Sequence, residues 1–226
     1  MYQSMQIQHC AFVCRGSAEW AHSKKKKVYD GYRKALEKIL DVIQYQTKKM
    51  IPISTFYLSS QNVEEPDNYS YLIDEISNFL NDLAENPFIH ENKIKISVLG
   101  KWYSAPSRLI ESIKNILDQT KEYDNYFVNF CINYDGQEEI IDACKMVARR
   151  VKLGKIDVDA VTKETIKEDL YSSYFLPPDV IVVTGKKKSF SGFLLWDAAN
   201  AEIMFLDKNF PEINSKDLDK VFKIKK

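Results

Sequence analysis

The sequence predicts one α/β domain built on a mainly parallel sheet of about six strands, with helices on both faces. Short runs rich in β-branched and aromatic residues alternate with longer segments whose apolar residues recur every three or four positions. No internal repeat or Gly/Ser-rich linker interrupts the 226 residues, and a chain of this length can bury a full core. We therefore treat residues 1–226 as a single domain.

Six segments have the composition of strands, being short, apolar and mostly bounded by polar residues, glycine or proline. In chain order they are Ile7–Cys14, Ile51–Leu58, Lys93–Leu99, Tyr126–Tyr134, Val180–Thr184 and Ala201–Leu206. The last two are predicted to be buried, and a short apolar helix that starts at Phe193–Trp196 is predicted between them. Strand, helix and strand in that order form a βαβ unit with parallel strands.

Helices are predicted where apolar residues follow helical spacing. In chain order they are expected from Val28, over Tyr69–Leu83, from Pro106, from Asp135 to about Val151, over Thr162–Tyr171 and from Ser215. Proline is tolerated in a first helical turn, and Asp135 with Glu138 fits a capping box. Helices of this number between the strands would cover both faces of the sheet.

Composition excludes several classes of function. The chain has 32 basic and 32 acidic residues, so no overall field directs it to nucleic acid or to an acidic membrane. Its four cysteines lie in apolar contexts without CxxC spacing, which favours buried free thiols over disulfides or a metal site. The N-terminus has no signal-peptide pattern, and no apolar run has the length of a membrane span, which together predict a cytoplasmic location.

The most specific pattern is the segment Asp179–Asp207, which reads DVIVVTGKKKSFSGFLLWDAANAEIMFLD. It resembles the C-terminal signature of the cis-prenyltransferases, the undecaprenyl diphosphate synthase family, roughly D-L-x-I-R-T-[SG]-G-E-x-R-x-S-N-F-L-L-W-Q-x-A-Y-A-E-x-x-F. The positions that match in register are Thr184, Ser191, Phe193–Trp196, Ala199, Ala201, Glu202 and Phe205. So many matches without a gap are far more specific than a single short motif.

The resemblance runs from His9 to about Leu218. The family's H-x-A-x-x-M-D-G-N-G-R-W-A aligns with His9–Ala21, and its S-[ST]-E-N-W-x-R-P aligns with Ser59–Pro66. The resemblance implies the cis-prenyltransferase fold, a role in isoprenoid or terpenoid metabolism, a prenyl diphosphate substrate, Mg²⁺ and a dimer. It also implies that the Tyr69–Leu83 helix lines a channel for the isoprenoid tail, although core packing explains the same apolar face.

The departures from the family pattern fall on residues that handle the substrate. The aspartate that helps to hold Mg²⁺ in the family is Arg15 here, and a cation cannot bind the metal, whereas a guanidinium can bind phosphate bidentately. The two arginines that hold isopentenyl diphosphate are Val183 and Ser189. Their loss costs roughly 3–6 kcal/mol, about 10²–10⁴ in affinity. Ordinary cis-chain elongation is therefore not expected.

We expect a diphosphate site held by side-chain cations. Two residues, Arg15 and Asn62, are the catalytic candidates, and Glu202 alone is a poor candidate for a metal site because Mg²⁺ requires several oxygen ligands. The candidate substrate-binding residues are Gly16, Ser17, Ser59, Lys186, Lys187, Lys188, Ser191, Leu72, Ile76 and Phe79. An exposed turn explains the three loop lysines equally well. The run Lys24–Lys27 fits a solvated loop or a patch that faces phosphate or lipid.

Two functions remain open. The first is an enzyme that binds a prenyl diphosphate and converts it by cyclisation, coupling or altered transfer, as a homodimer by family default. The second is a non-catalytic subunit that stabilises a catalytic homologue in a heterodimer. The retained Asn62, Ser191 and Trp196 favour the first, because a purely structural subunit need not keep pocket residues. Peripheral membrane contact is compatible with either function.

Overall fold

The computed structural model describes residues 7–59 and 66–222. Within them, the strands form one sheet in which every neighbouring pair is parallel, in the order β3-β4-β2-β1-β5-β6. The strands are β1 His9–Val13, β2 Ile53–Tyr57, β3 Ile94–Leu99, β4 Tyr126–Cys131, β5 Val180–Thr184 and β6 Glu202–Leu206. The predicted α/β class and parallel sheet are confirmed.

The helices connect successive strands. They are α1 Ser17–Ser23, α2 Val28–Lys48, α3 Pro66–Ala84, α4 Pro87–Glu91, α5 Ser107–Thr120, α6 Gly136–Lys152, α7 Lys163–Glu168 and α8 Ser215–Val221. Short 3₁₀ helices lie at Trp102–Ser104, Val158–Ala160, Asp197–Asn200 and Phe210–Glu212. Among the described residues, no helix combines the length and the apolar character that crossing a membrane requires.

Alternating residues of the central strands supply two cores, one on each face of the sheet. Cys10 and Phe12 of β1 belong to the larger core, which also contains buried residues of α2, α3 and α5. Ala11 and Val13 point to the smaller core, where Tyr134, Phe193 and Leu194 are buried. Period-two alternation with both faces apolar is typical of a parallel sheet covered on both sides.

The helix predicted to start at Phe193–Trp196 is wrong, because residues 191–196 form consecutive turns before the Asp197–Asn200 3₁₀ helix. Ser191 and Leu194 have φ angles of 52° and 47°, in the left-handed region that interrupts a right-handed α-helix. The prediction that β6 is buried is also wrong. β6 pairs only with β5 within the described sheet, so it is an edge strand whose residues are partly or fully exposed.

Helix termini follow the predicted chemistry in part. The Asp135 carboxylate caps α6, accepting hydrogen bonds from the N–H groups of Gln137 and Glu138 at 2.8 and 3.1 Å. The Glu138 side chain does not complete the predicted box, because it pairs with Lys101 at 2.6 Å. The last helix is capped by Asn214, one residue before the predicted cap. Helix α1 was not predicted, because its seven polar-rich residues bury only Ala21.

Candidate functional site

The carboxyl ends of β1 and β5 form the centre of the candidate site. In the sheet, β1 lies between β2 and β5. The chain passes from β1 to β2 on one side and reaches β5, on the other side, only later. Ligands of open parallel α/β sheets bind outside the carboxyl ends of the strands at such a reversal of direction. Arg15 follows β1 and the lysine loop, residues 186–191, follows β5, so the predicted cationic residues lie at this crevice.

Arg15 is half-buried and its guanidinium is bound by the lysine loop. Nη1 donates to the carbonyl oxygens of Lys187 and Ser189 at 3.2 and 2.7 Å, and Nη2 donates to Ser191 Oγ. Burial lowers the pKa of the guanidinium from its ordinary value, although arginine remains protonated in proteins. The structure thus brings the predicted residues Arg15 and Ser191 into direct contact.

The backbone around Arg15 is fixed by Thr184 and Gly16. Thr184 Oγ1 accepts a hydrogen bond from the Arg15 N–H at 2.9 Å and lies 3.0 Å from the carbonyl oxygens of Val13 and Arg15. Gly16 has a φ angle of 96°, and a Cβ there would lie 2.3 Å from Asn209 Oδ1. A side chain at position 16 is therefore excluded by both conformation and space.

The three loop lysines do not converge on one point. All three are exposed. Lys188 forms an ion pair with Asp207 and lies over the ring of Phe205, 5.8 Å from its centroid, so its charge is directed toward β6. Lys186 and Lys187 remain beside the crevice, and the carbonyl of Lys187 accepts one of the Arg15 hydrogen bonds.

The predicted polar residues near β2 have different positions. Ser59 is buried, and its Oγ accepts a hydrogen bond from the Asn133 N–H at 3.1 Å, which links the end of β2 to the end of β4. Ser17 is half-buried at the start of α1. Asn62 lies outside the described residues. Arg15, Gly16 and Ser17 therefore cluster with the loop, while Ser59 makes a structural contact.

An apolar cavity of about 70 Å³ lies beside the crevice, between α2, α3 and the ends of β1 and β2. Its lining comprises Cys14, Ser17, Tyr32, Ala35, Leu36, Ile39, Tyr57, Leu58, Leu72 and Ile76. Two of the three predicted tail-contacting residues are in this set. The third, Phe79, instead packs against Phe130 with ring centroids 5.9 Å apart and lines a separate groove of about 490 Å³ between α2 and α3. Leu36 borders both spaces.

The described residues around the crevice do not fit a Mg²⁺ site. Glu202 is exposed at the start of β6, paired with Val180 at the start of β5, whereas Arg15 follows the opposite ends of the strands. In residues 7–59 and 66–222, no three side chains among His, Cys, Asp and Glu are grouped to hold a metal ion. An arginine bound to carbonyl groups supplies no oxygen ligand, and Mg²⁺ requires several.

A buried polar network that the sequence did not reveal anchors the far end of the lysine loop. Ser172 Oγ and Lys167 Nζ each donate to Asp197 Oδ2 at 2.7 Å. The Ser172 N–H donates to Glu139 at 3.1 Å, and the Tyr134 hydroxyl donates to the same carboxylate. Burial raises the pKa of Glu139. Because Asp197 begins the 3₁₀ helix after the loop, the network ties the loop to α6 and α7.

Tyr32, Leu36 and Tyr57 line the cavity but were not site candidates in the sequence. The available signal was weak. Tyr57 is the last residue of β2, where parallel-sheet sites form, and the other two lie on the apolar face of α2, which core packing explains equally well.

Fold and crevice together define an α/β protein with a cationic, phosphate-compatible site beside a small apolar cavity. The chain belongs to the family described as "Putative undecaprenyl diphosphate synthase", whose model matches residues 13–224. This confirms the family resemblance in the sequence.

Two similar curated proteins are tritrans,polycis-undecaprenyl-diphosphate synthases (geranylgeranyl-diphosphate specific). The one from Methanopyrus kandleri is 30% identical over 213 residues, covering 93% of this chain and 79% of the relative. The one from Thermoplasma volcanium is 32% identical over 212 residues, covering 93% and 82%. The relatives are thus prenyl diphosphate synthases.

The fold also matches a solved structure, lavandulyl diphosphate synthase from Lavandula x intermedia in complex with dimethylallyl diphosphate. The TM-score is 0.91 at 21% sequence identity, with 96% of this chain and 94% of that chain covered. At 21% identity, the structural likeness shows the cis-prenyltransferase fold and nothing beyond the fold.

Proposed function

We propose that the protein binds a prenyl diphosphate and converts it by cyclisation, coupling or altered transfer in place of ordinary cis-chain elongation. The observation that carries the proposal is the placement of Arg15, which occupies the crevice between β1 and β5 beside an apolar cavity. A bound diphosphate would lie against Arg15 and the exposed Lys186 and Lys187, with its tail directed between α2 and α3. The family membership supports this class of substrate.

The proposed reaction begins with cleavage of the allylic C–O bond of the substrate. The bonding electron pair leaves with the diphosphate, whose growing negative charge is stabilised by the fixed guanidinium and by the lysines. The allylic cation is then captured by a double bond of a second molecule or of a longer tail, by a nucleophilic acceptor, or by water, and each route ends with the release of one proton. Among the described residues Arg15 uses three of its five N–H donors, which leaves two for phosphate oxygens.

The cavity volume supports a short tail. An apolar cavity of about 150 Å³ holds a benzene ring, whereas the cavity here measures about 70 Å³. It accommodates part of a five-carbon group, and longer tails require displacement of the wall at Leu36. We therefore propose a preference for the shortest prenyl diphosphates, for which coupling or altered transfer is available, because cyclisation requires a second double bond in the tail. The assembly that we propose is a homodimer, as the family resemblance implies.

The second candidate, a non-catalytic subunit of a heterodimer, is favoured by one specific observation. The Arg15 guanidinium is held by two backbone carbonyls and a serine hydroxyl, which stabilises the loop without any ligand. In this alternative, Arg15 serves to close an empty site.

Product analysis separates the two candidates. The purified protein is incubated with C5 to C20 prenyl diphosphates, with and without Mg²⁺, and organic-phase products are identified by mass spectrometry. Conversion by the isolated protein that is lost in Arg15→Ala supports the enzyme and eliminates the subunit. No product with any substrate, but activity when a catalytic homologue is added, contradicts the enzyme.

A further inference from the structure

The connection between α1 and α2 places four lysines in an ordered turn. We call Lys24–Lys27 the basic turn, and all four residues are exposed. Its backbone is fixed, because the Lys24 N–H donates to the Trp20 carbonyl at 3.1 Å and the Lys26 N–H donates to the Ala21 carbonyl at 2.8 Å. The lysine side chains therefore extend from a defined base rather than from a disordered loop.

Aromatic side chains flank this turn. Lys26 Nζ lies 5.9 Å from the centroid of the Trp20 ring, and Lys27 Nζ lies 5.7 Å from that of Tyr29. The Tyr29 ring is 5.9 Å from the ring of Tyr71 on α3, a residue that is 50% exposed. Tryptophan, tyrosine and lysine share an apolar body with a polar tip, the combination found at membrane–water interfaces.

The positive charge of the turn is local. The chain as a whole has a net charge of zero. The ion pairs of α2 involve Arg33, Lys34 and Lys38, and in the described part of the chain no carboxylate pairs with a side chain of the basic turn. Asp30 caps the helix by accepting from the Lys27 backbone N–H at 3.2 Å. The four ammonium groups thus present a cationic surface to solvent.

We propose that the basic turn, with Trp20, Tyr29 and Tyr71, docks the protein on an anionic lipid surface. Lysines attract the phosphate groups of the leaflet, and the aromatic rings enter the headgroup region. The next residue after Tyr71 is Leu72, which lines the apolar cavity, so docking would bring the cavity close to the lipid layer. The docking itself does not depend on whether the protein turns over a prenyl diphosphate.

Vesicle co-sedimentation tests the proposal. The full chain is mixed with vesicles of phosphatidylcholine, or of an equal mixture of phosphatidylcholine and phosphatidylglycerol, at low and high salt. The test variant carries K24Q and K26Q. The matched control carries K152Q and K155Q, two exposed lysines near the end of α6, which runs from the carboxyl edge of the sheet toward the opposite edge.

The proposal predicts binding to the anionic vesicles alone, weakened by salt. Each lysine near the surface contributes about fivefold in affinity, so the test variant loses about 30-fold and the control stays near wild type. The variant Tyr71→Ser weakens binding even at high salt. The proposal is overturned by equal binding to both vesicle types, by no binding, or by equal losses in both lysine variants. Thermal melts verify that each variant is folded.

Discussion

At the residue scale, Arg15 has an observed role in holding the lysine loop and a proposed role in binding the diphosphate. Its hydrogen bonds to the carbonyl oxygens of Lys187 and Ser189 hold the lysine loop over the end of β1. The same guanidinium carries the positive charge that a diphosphate requires. A lysine in its place would keep the charge and lose the fork that contacts several oxygens at once.

Substitution of Arg15 tests the second role. Arg15→Ala removes a charge-assisted contact of roughly 1.5–3 kcal/mol, so affinity for dimethylallyl diphosphate should fall by about 10- to 150-fold in calorimetric titrations. Arg108→Ala is the matched control, because Arg108 is exposed on α5 and pairs with Asp74. Equal affinities of the wild type and the Arg15 variant would remove this residue from the site.

The loop lysines provide an internal comparison. Lys188 is engaged by Asp207, whereas Lys187 is exposed beside the crevice. Lys187→Ala should therefore weaken diphosphate binding more than Lys188→Ala in the same titrations, although both remove one charge from one loop. The reverse order would show that Lys188 leaves Asp207 to bind the ligand.

His9 makes stability depend on pH. The buried ring lies between the Leu176 carbonyl, 2.6 Å from Nδ1, and Thr55 Oγ1, 2.7 Å from Nε2, and burial lowers its pKa from 6.5 to about 4. As the pH falls, the unfolded state takes up this proton before the folded state does. The contribution of His9 to the free energy of unfolding is therefore fully present above pH 6.5 and decreases as the pH drops toward about 4. The free energy of unfolding lost through this group is roughly 3 kcal/mol.

Urea unfolding across that pH range measures the effect. In His9→Gln, the part of the slope of unfolding free energy against pH that His9 contributes should disappear. His22 is exposed, so His22→Gln should retain that slope. An unchanged slope in His9→Gln would assign the pH dependence to other groups. The sequence placed His9 near the start of a strand, but its burial between two polar partners depends on β2 and on the segment between α7 and β5, and could not be predicted.

At the scale of elements, the packing of helix α2 against α3 leaves two spaces that share Leu36 as a lining residue. Leu36 is 4% exposed and borders both the small cavity and the larger groove between α2 and α3. Helix spacing predicted this apolar face, but spacing alone does not distinguish a residue that fills the core from one that limits a ligand. That distinction depends on the packing of α2 against α3.

Leu36→Ala should connect the two spaces. We expect the preference for five-carbon substrates over fifteen-carbon substrates to fall at least several-fold, at a stability cost of about 2–5 kcal/mol. Competition between the two diphosphates measures the preference. Leu40→Ala is the control, because Leu40 lines only the outer groove. An unchanged preference in a folded Leu36→Ala protein would show that Leu36 does not limit the tail.

The loop after β5 shows where sequence patterns fail. Val180–Thr184 was predicted with its observed boundaries, because an uninterrupted β-branched run favours a buried strand. The following apolar run was predicted as a helix, yet Ser191 and Leu194 adopt positive φ angles. The hydrogen bonds of Arg15 to this loop and the anchor at Asp197 come from distant parts of the chain, which local propensity does not include.

At the scale of the whole molecule, strand order creates the site. β1 and β5 are adjacent in the sheet although most of the chain separates them in sequence. The sequence predicted parallel strands, but not which strands would be neighbours, and the family resemblance supplied only the expectation that Arg15 and Ser191 belong to one site. The common direction of the strands separates Glu202 from Arg15, since Glu202 begins β6 and Arg15 follows the end of β1.

We propose that side-chain cations at the β1–β5 crevice hold a diphosphate without a carboxylate-bound metal ion. The most direct measurement is the affinity of the isolated protein for a non-ionising thiolo analogue of dimethylallyl diphosphate in excess chelator. Binding should persist in wild type without metal and be lost in Arg15→Asp, which restores a carboxylate at this position. Binding by wild type only when Mg²⁺ is supplied, or undiminished metal-free binding by Arg15→Asp, would contradict the claim.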